Sequence, residues 1–108
     1  GTQIEDSAFL GCSNLREVIL NEGLNKIGVN VFENCQSLER ITLPSTLTEI
    51  GKGAFCNCSN LREVILNEGL KKIGKWAFLS CESLENIQLP STVTEISKDA
   101  FCDCRNLR

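Results

Sequence analysis

The apolar residues of this chain recur at a fixed interval of 23 positions, and we call each set of residues at that interval a column. Three of the most regular columns are Ile4, Ile27, Ile50, Ile73 and Ile96; Phe9, Phe32, Phe55, Phe78 and Phe101; and Leu15, Leu38, Leu61, Leu84 and Leu107. A short unit cannot bury its apolar side alone, but copies stacked on one another form a continuous core. The interval therefore predicts a solenoid in which each column becomes a ladder of neighbouring side chains.

Each unit carries a short strand followed by a turn. The apolar spacing of Leu61, Val64 and Leu66 is typical of a strand that faces Val64 and Leu66 inward. Turn residues follow, either Asn-Glu-Gly-Leu or Pro-Ser-Thr-Leu/Val, in which Gly supplies a positive φ and Pro presets its own. Four such strands are predicted, near residues 17–21, 40–44, 63–67 and 86–90.

The other half of each unit shows a different spacing. Ala54, Phe55 and Cys58 stand at i, i+1 and i+4, the spacing of one face of a helical turn, so a short helical or 3₁₀ segment is expected there. Residues 47–50 lie between the two halves and predict a second, shorter extended piece.

A longer period of 46 residues lies over the first. Residues 12–24 recur verbatim as 58–70, and residues 4–49 differ from 50–95 at about 15 positions. Charges alternate along three columns, so that stacked neighbours would be opposite or neutral rather than alike. These columns are Arg16, Glu39, Arg62 and Glu85; Lys26, Glu49, Lys72 and Glu95; and Glu17, Arg40, Glu63 and Asn86.

The strand signature Leu-x-x-Ile/Val-x-Leu, together with Ile-x-x-x-Ala-Phe-x-x-Cys-x-x-Leu, resembles the BspA-type leucine-rich repeat family. The resemblance covers residues 4–107. It implies an α/β solenoid with a parallel sheet on the concave side and short helical or 3₁₀ segments on the convex side. Residues 1–108 would form a single array of about four and a half repeats without evident caps.

Composition excludes several classes of function. The net charge is −3 with no polybasic run, so nucleic acid is not an expected partner. No apolar stretch approaches the roughly 18 residues of a membrane span, so membrane insertion is not expected. The chain has no histidine, which removes most acid–base, nucleophilic and metal chemistry. We therefore predict a non-enzymatic protein with no cofactor, no catalytic residues and no metal site.

The seven cysteines are predicted to be structural. Five form a column in step with the core phenylalanines, and cysteine is among the most buried residue types. Cys56 and Cys102 are expected to point outward, two repeats apart and too distant for a disulfide. Unpaired thiols favour an intracellular location, whereas the family resemblance favours the cell surface, and both remain open.

The outward strand positions are the candidate binding residues. They would tile the concave face as a mixed polar and apolar surface, suited to a protein partner rather than a small molecule. They are Glu17, Ile19, Asn21, Arg40, Thr42, Glu63, Ile65, Asn67, Asn86 and Gln88. On the convex side Trp76 stands in a column otherwise made of Ser7, Asn30, Gly53 and Asp99, and it is a candidate contact residue.

The predicted function is protein binding through the concave face, and the resemblance implies adhesion or ligand recognition. The alternative is a structural or self-assembling repeat unit, consensus-like or designed, with no dedicated ligand. The chain lacks methionine even at position 1, so we expect a piece of a longer array. Uncapped ends would leave core columns open at Ile4 and Phe9 and at Phe101 and Leu107, which predicts end-to-end association of copies.

Overall fold

The chain winds into a solenoid of short parallel strands; the computed structural model describes residues 3–107. The strands are β1 (Gln3–Ile4), β2 (Glu17–Ile19), β3 (Lys26–Ile27), β4 (Arg40–Thr42), β5 (Glu49–Ile50), β6 (Glu63–Ile65), β7 (Lys72–Ile73) and β8 (Glu95–Ile96). They form a five-stranded sheet in the order β1-β3-β5-β7-β8 and a three-stranded sheet in the order β2-β4-β6. The predicted solenoid is confirmed, and the expected extended piece over residues 47–50 is the two-residue strand β5.

Every strand pairs with the strand 23 residues away. Val18 is opposite Ile41 and Ile41 is opposite Val64, while Ile27 is opposite Ile50 in the other sheet. Hydrogen-bonded strands lie about 4.8 Å apart. Residues of one column are therefore neighbours in space, as the interval predicts.

The phenylalanine column forms the interior spine. The ring centroids of Phe32 and Phe55 are 5.3 Å apart, those of Phe55 and Phe78 are 5.2 Å apart, and both pairs stack with nearly parallel planes. All three rings are fully buried, and isoleucine, leucine, cysteine and alanine columns pack around them. Phe9 and Phe101 continue the stack at its two ends and are less buried. The repeated letters thus produce one continuous core.

The alternating charges meet as predicted in two columns. Lys26 Nζ lies 3.7 Å from a Glu49 carboxylate oxygen, and Arg40 Nε lies 2.7 Å from Glu63. Each pair joins adjacent repeats, and each of the four side chains is at least one-third exposed. Such surface pairs contribute little individually, about 0.2–1 kcal/mol, but like charges in this register would repel. The 46-residue period therefore keeps opposite charges facing each other along the sheets.

The prediction of short helical or 3₁₀ segments is wrong. Residues 3–107 contain none, and the corresponding stretches are successive turns. Gly53 and Asn57 have φ values of 66° and 63°, opposite in sign to helical φ. Backbone donors alternate between two kinds of partner. The Phe55 N–H bonds to the Ala77 carbonyl of the next repeat, whereas the Cys58 N–H bonds to Phe55. Bonding across repeats thus replaces the bonding that would build a helix.

The predicted fourth strand of the second sheet is also absent. Residues 86–90 form no strand, and β2, β4 and β6 are three residues long rather than five. Asn86 occupies the position of Glu17, Arg40 and Glu63, and asparagine is depleted in strands. It also cannot repeat the ion pair that Arg40 makes with Glu63. Residues 85–88 therefore lie beside β6 without extending its ladder.

Candidate interaction surface

Six outward side chains of the three-stranded sheet form one surface, which we call the sheet face. Side chains of a strand alternate between its two sides, so Val18, Ile41 and Val64 point into the core while their neighbours point out. The parallel register aligns the outward residues into two rows across the strands. The sheet face consists of Glu17, Ile19, Arg40, Thr42, Glu63 and Ile65.

One row of the sheet face is apolar at alternate repeats. Ile19 is opposite Thr42, and Thr42 is opposite Ile65. Ile19 is 74% exposed and Ile65 is 40% exposed. Burying an exposed isoleucine side chain contributes about 1.5–3 kcal/mol. A partner that covered both isoleucines would therefore gain binding free energy from each.

The other row is charged and borders a groove. Glu17, Arg40 and Glu63 follow one another across the strands, with the ion pair between Arg40 and Glu63 at its centre. Beside it a groove of about 470 Å³ runs between β6 and residues 85–88. Its walls include Arg62, Ile65 and both carboxylates Glu63 and Glu85. The surface thus offers donors, acceptors and an apolar side chain within one depression.

The remaining predicted binding residues have different settings. Asn21 is exposed in the turn after β2. Asn67 is half-buried, and its side-chain amide donates a hydrogen bond to the carbonyl of Leu43 in the preceding repeat. This hydrogen bond links two adjacent repeats. Asn86 and Gln88 are exposed and line the groove, although they belong to no strand.

Trp76 lies away from the sheet face, within the turns. It is half-buried rather than fully exposed, and its φ is 62°. The ammonium groups of Lys52 and Lys75 lie 5.1 and 4.4 Å from its ring centroid, both within cation–π range.

The cysteine column is a ladder of thiol hydrogen bonds. Cys58 Sγ donates to the carbonyl of Phe32 at 3.1 Å, and Cys81 Sγ donates to Phe55 at 3.1 Å. Burial raises the pKa of both thiols well above the ordinary value, so neither is poised to become a thiolate. All seven cysteines are unpaired, and residues 3–107 hold no cluster of side chains able to bind a metal ion.

Sequence reasoning missed one column. Lys52, Lys75 and Lys98 are 23 residues apart and carry the same charge, against the alternation seen elsewhere. The signal was present in the period itself, because the same interval that aligns the core also aligns these lysines.

Comparison with known proteins agrees with this architecture. The model of the family described as BspA type Leucine rich repeat region (6 copies) matches residues 1–108. The chain belongs to this family. Among solved structures, a T. pallidum leucine rich repeat protein superimposes with a TM-score of 0.96 at 39% identity. The match covers 98% of this chain and 50% of the T. pallidum chain.

Two further leucine-rich repeat structures are similar. One, from Bacteroides ovatus, has a TM-score of 0.92 and 36% identity over 98% of this chain and 27% of its own. The other is a leucine rich cell surface protein of Faecalibacterium prausnitzii, with a TM-score of 0.80 and 25% identity over 99% of this chain and 35% of its own. The chain thus spans half or less of these relatives.

No curated protein matches the chain significantly. Within residues 3–107, no helix has the length and apolar character needed to cross a bilayer.

Proposed function

We propose that the chain is a non-enzymatic protein-binding module of the adhesion type, and that the sheet face contacts the partner. Membership of the leucine-rich repeat family supports this function. The similar F. prausnitzii protein is described as a cell surface protein, which favours the same location for this chain. The partner is a protein surface of mixed character, because charged and apolar side chains alternate over the six residues.

The exposure of Ile19 carries the proposal. Single exposed apolar residues are common on protein surfaces. Ile19, however, lies in the same row of the sheet face as Ile65, and the neighbouring row is charged. Binding energy in protein interfaces concentrates in a few well-packed side chains surrounded by polar contacts. Two isoleucines two repeats apart, flanked by Arg40 and Glu63, have that arrangement.

The test compares capture by three immobilised forms of the chain. The first is the wild type, and the second is Ile19→Ser with Ile65→Ser. The third is a control, Leu10→Ser with Ile96→Ser, which removes two large exposed apolar side chains outside the sheet face. Thermal unfolding by circular dichroism checks that all three are folded.

We expect at least one protein to be retained by the wild type and the control but not by the sheet-face variant. Its affinity should fall about tenfold or more when the two isoleucines are removed. Equal capture by all three forms, or capture of nothing by the wild type, would contradict the proposal.

A second candidate function is self-assembly of the repeats. Phe9 is 42% exposed and stacks on Phe32, with centroids 5.5 Å apart, while no other ring among residues 3–107 stacks on it. A second copy could cover that ring, in line with the end-to-end association predicted above. Light scattering over a range of concentrations tests this: growth of the mean mass with concentration supports it, and a constant monomer mass contradicts it.

A further inference from the structure

The lysine column breaks the charge rule of this chain. Lys52, Lys75 and Lys98 occupy the same position in three successive repeats, and all three are exposed. Backbone bonds hold the repeats in register here, since the Gly53 N–H donates to the Lys75 carbonyl at 2.9 Å. Like charges in facing positions are destabilising. Within residues 3–107, none of the three forms a salt bridge that would relieve the repulsion.

Trp76 breaks a second rule beside this column. Its φ of 62° lies in the left-handed region, which costs roughly 1–3 kcal/mol for a residue other than glycine. Small polar residues or glycine take this conformation in the other four repeats, at Ser7, Asn30, Gly53 and Asp99. Asparagine, aspartate and glycine adopt it at little cost, whereas a bulky ring does not. A tryptophan therefore occupies a position where the backbone conformation disfavours it.

The two exceptions are in contact. The ammonium groups of Lys52 and Lys75 both lie near the face of the Trp76 ring, at 5.1 and 4.4 Å from the centroid. A cation over an aromatic ring is attracted to it by about 0.5–1 kcal/mol at exposed sites. The ring thereby orders two long side chains that would otherwise sample many rotamers. Trp76 thus holds together two ammonium groups that their mutual repulsion would otherwise drive apart.

We propose that Lys52 and Lys75, held by Trp76, form a second binding site together with Lys98 of the same column, for an acidic segment of a polypeptide. The site uses no residue of the sheet face, so it stands independently of the function proposed above. Its three lysines recur at the interval of one repeat, and within residues 3–107 none of their ammonium groups is neutralised by a salt bridge. Carboxylates of an extended acidic chain would pair with them and offset the repulsion within the column.

The chemistry favours an acidic polypeptide over a nucleic acid. Bases bind to proteins by stacking on open aromatic faces, and the Trp76 ring already carries two ammonium groups. A short acidic peptide needs only the ammonium groups. Trp76 is accordingly a positioning residue.

The experiment measures binding of a fluorescein-labelled hexaglutamate peptide by anisotropy at low salt. Trp76 is the only tryptophan and the chain has no tyrosine, so intrinsic emission gives a second, local readout. The site variant is Lys75→Gln with Lys98→Gln. The matched control is Arg16→Gln with Lys71→Gln, which removes two exposed positive charges elsewhere. Unfolding by circular dichroism checks each fold.

We expect saturable binding by the wild type, weakened by salt and accompanied by a change in Trp76 emission. The site variant should bind about fivefold or more weakly than the control. Trp76→Asn, which places at this position the residue that Asn30 supplies in the second repeat, should weaken anisotropy-detected binding by a similar factor. That last result would show that the ring orders the lysines.

Three outcomes would overturn the proposal. One is the absence of saturable binding to the folded wild type. Another is equal affinity of the site variant and the control, which would leave only a general charge effect. The third is tighter binding of a single-stranded oligonucleotide or a heparin fragment of equal charge, which would mean that the partner is not a polypeptide.

Discussion

Glu22 accepts two hydrogen bonds from Ser45, which occupies the same position in the turn of the next repeat. The Ser45 N–H and its hydroxyl each donate to one carboxylate oxygen. Beside them, the Gly23 N–H donates to the Thr46 hydroxyl at 3.0 Å, and that hydroxyl donates to a carbonyl of the first turn. We call this arrangement the turn clasp. The Asn-Glu-Gly and Pro-Ser-Thr turns are therefore complementary partners.

The turn clasp should make stability depend on pH through Glu22. The hydrogen bonds from Ser45 hold the pKa of Glu22 below its ordinary value of 4.5. A carboxyl group with a lowered pKa in the folded state stabilises the fold above its unfolded pKa, and this contribution is lost as pH falls through the folded pKa. The difference in melting temperature between wild type and Glu22→Gln should thus be present at neutral pH and shrink in acid.

Ser45→Ala provides the control for that measurement. Without the hydroxyl, the pKa of Glu22, followed by carboxyl NMR, should move back toward its ordinary value. An unchanged titration in Ser45→Ala would mean that the clasp does not hold the carboxylate.

The phenylalanine spine predicts a steep cost for interrupting it. Phe55→Ala should lower the free energy of unfolding by about 3–5 kcal/mol, because Phe55 is fully buried between two stacked rings. Phe9→Ala should cost clearly less, since Phe9 is partly exposed and has one stacked neighbour. Urea unfolding measures both free energies. An equal loss of stability in the two variants would contradict the idea that a ring stacked on both faces contributes more than a ring stacked on one.

Much of this fold could be predicted because stacking converts an interval in sequence into a distance in space. The pairing of Val18, Ile41 and Val64, and the facing charges of Lys26 and Glu49, follow from the interval alone. The same argument placed the six residues of the sheet face.

The turns could not be predicted in the same way. Ala54, Phe55 and Cys58 share one side in a helical turn, and they also share one side here, so the spacing does not distinguish the two. The backbone donors decide, and they bond to the next repeat. The setting of Asn67 could not be predicted for a related reason: its amide donates to a backbone carbonyl in the preceding repeat, a partner that no local pattern shows.

Thiol reactivity should follow burial. Cys102 is exposed, whereas Cys58 and Cys81 are buried and burial raises the pKa of both. The thiolate is the reactive form, so both access and ionisation protect the buried pair. Alkylation of the native protein at neutral pH, followed by mass spectrometry, should modify Cys102 first. Labelling of Cys58 at the same rate without denaturant would contradict the buried thiol ladder.

The turn clasps predict that the array tolerates growth in steps of two repeats. The clasp recurs between Glu68 and Ser91 and between Gly69 and Thr92, 46 residues after the first. Inserting a second copy of residues 27–72 after Lys72 keeps the two turn types alternating and keeps opposite charges opposed. Inserting two copies of residues 50–72 at the same place adds the same length but sets like turns and like charges against each other.

The alternating insertion should be the more stable of the two by about 2 kcal/mol or more, since each mismatched junction loses several hydrogen bonds worth about 0.5–1.5 kcal/mol apiece. Both insertions add equal numbers of phenylalanine, cysteine and leucine column positions, so core length does not separate them. Urea midpoints with equal m-values give the comparison. Equal midpoints would mean that a single repeat, rather than a pair, is the unit from which this solenoid is built.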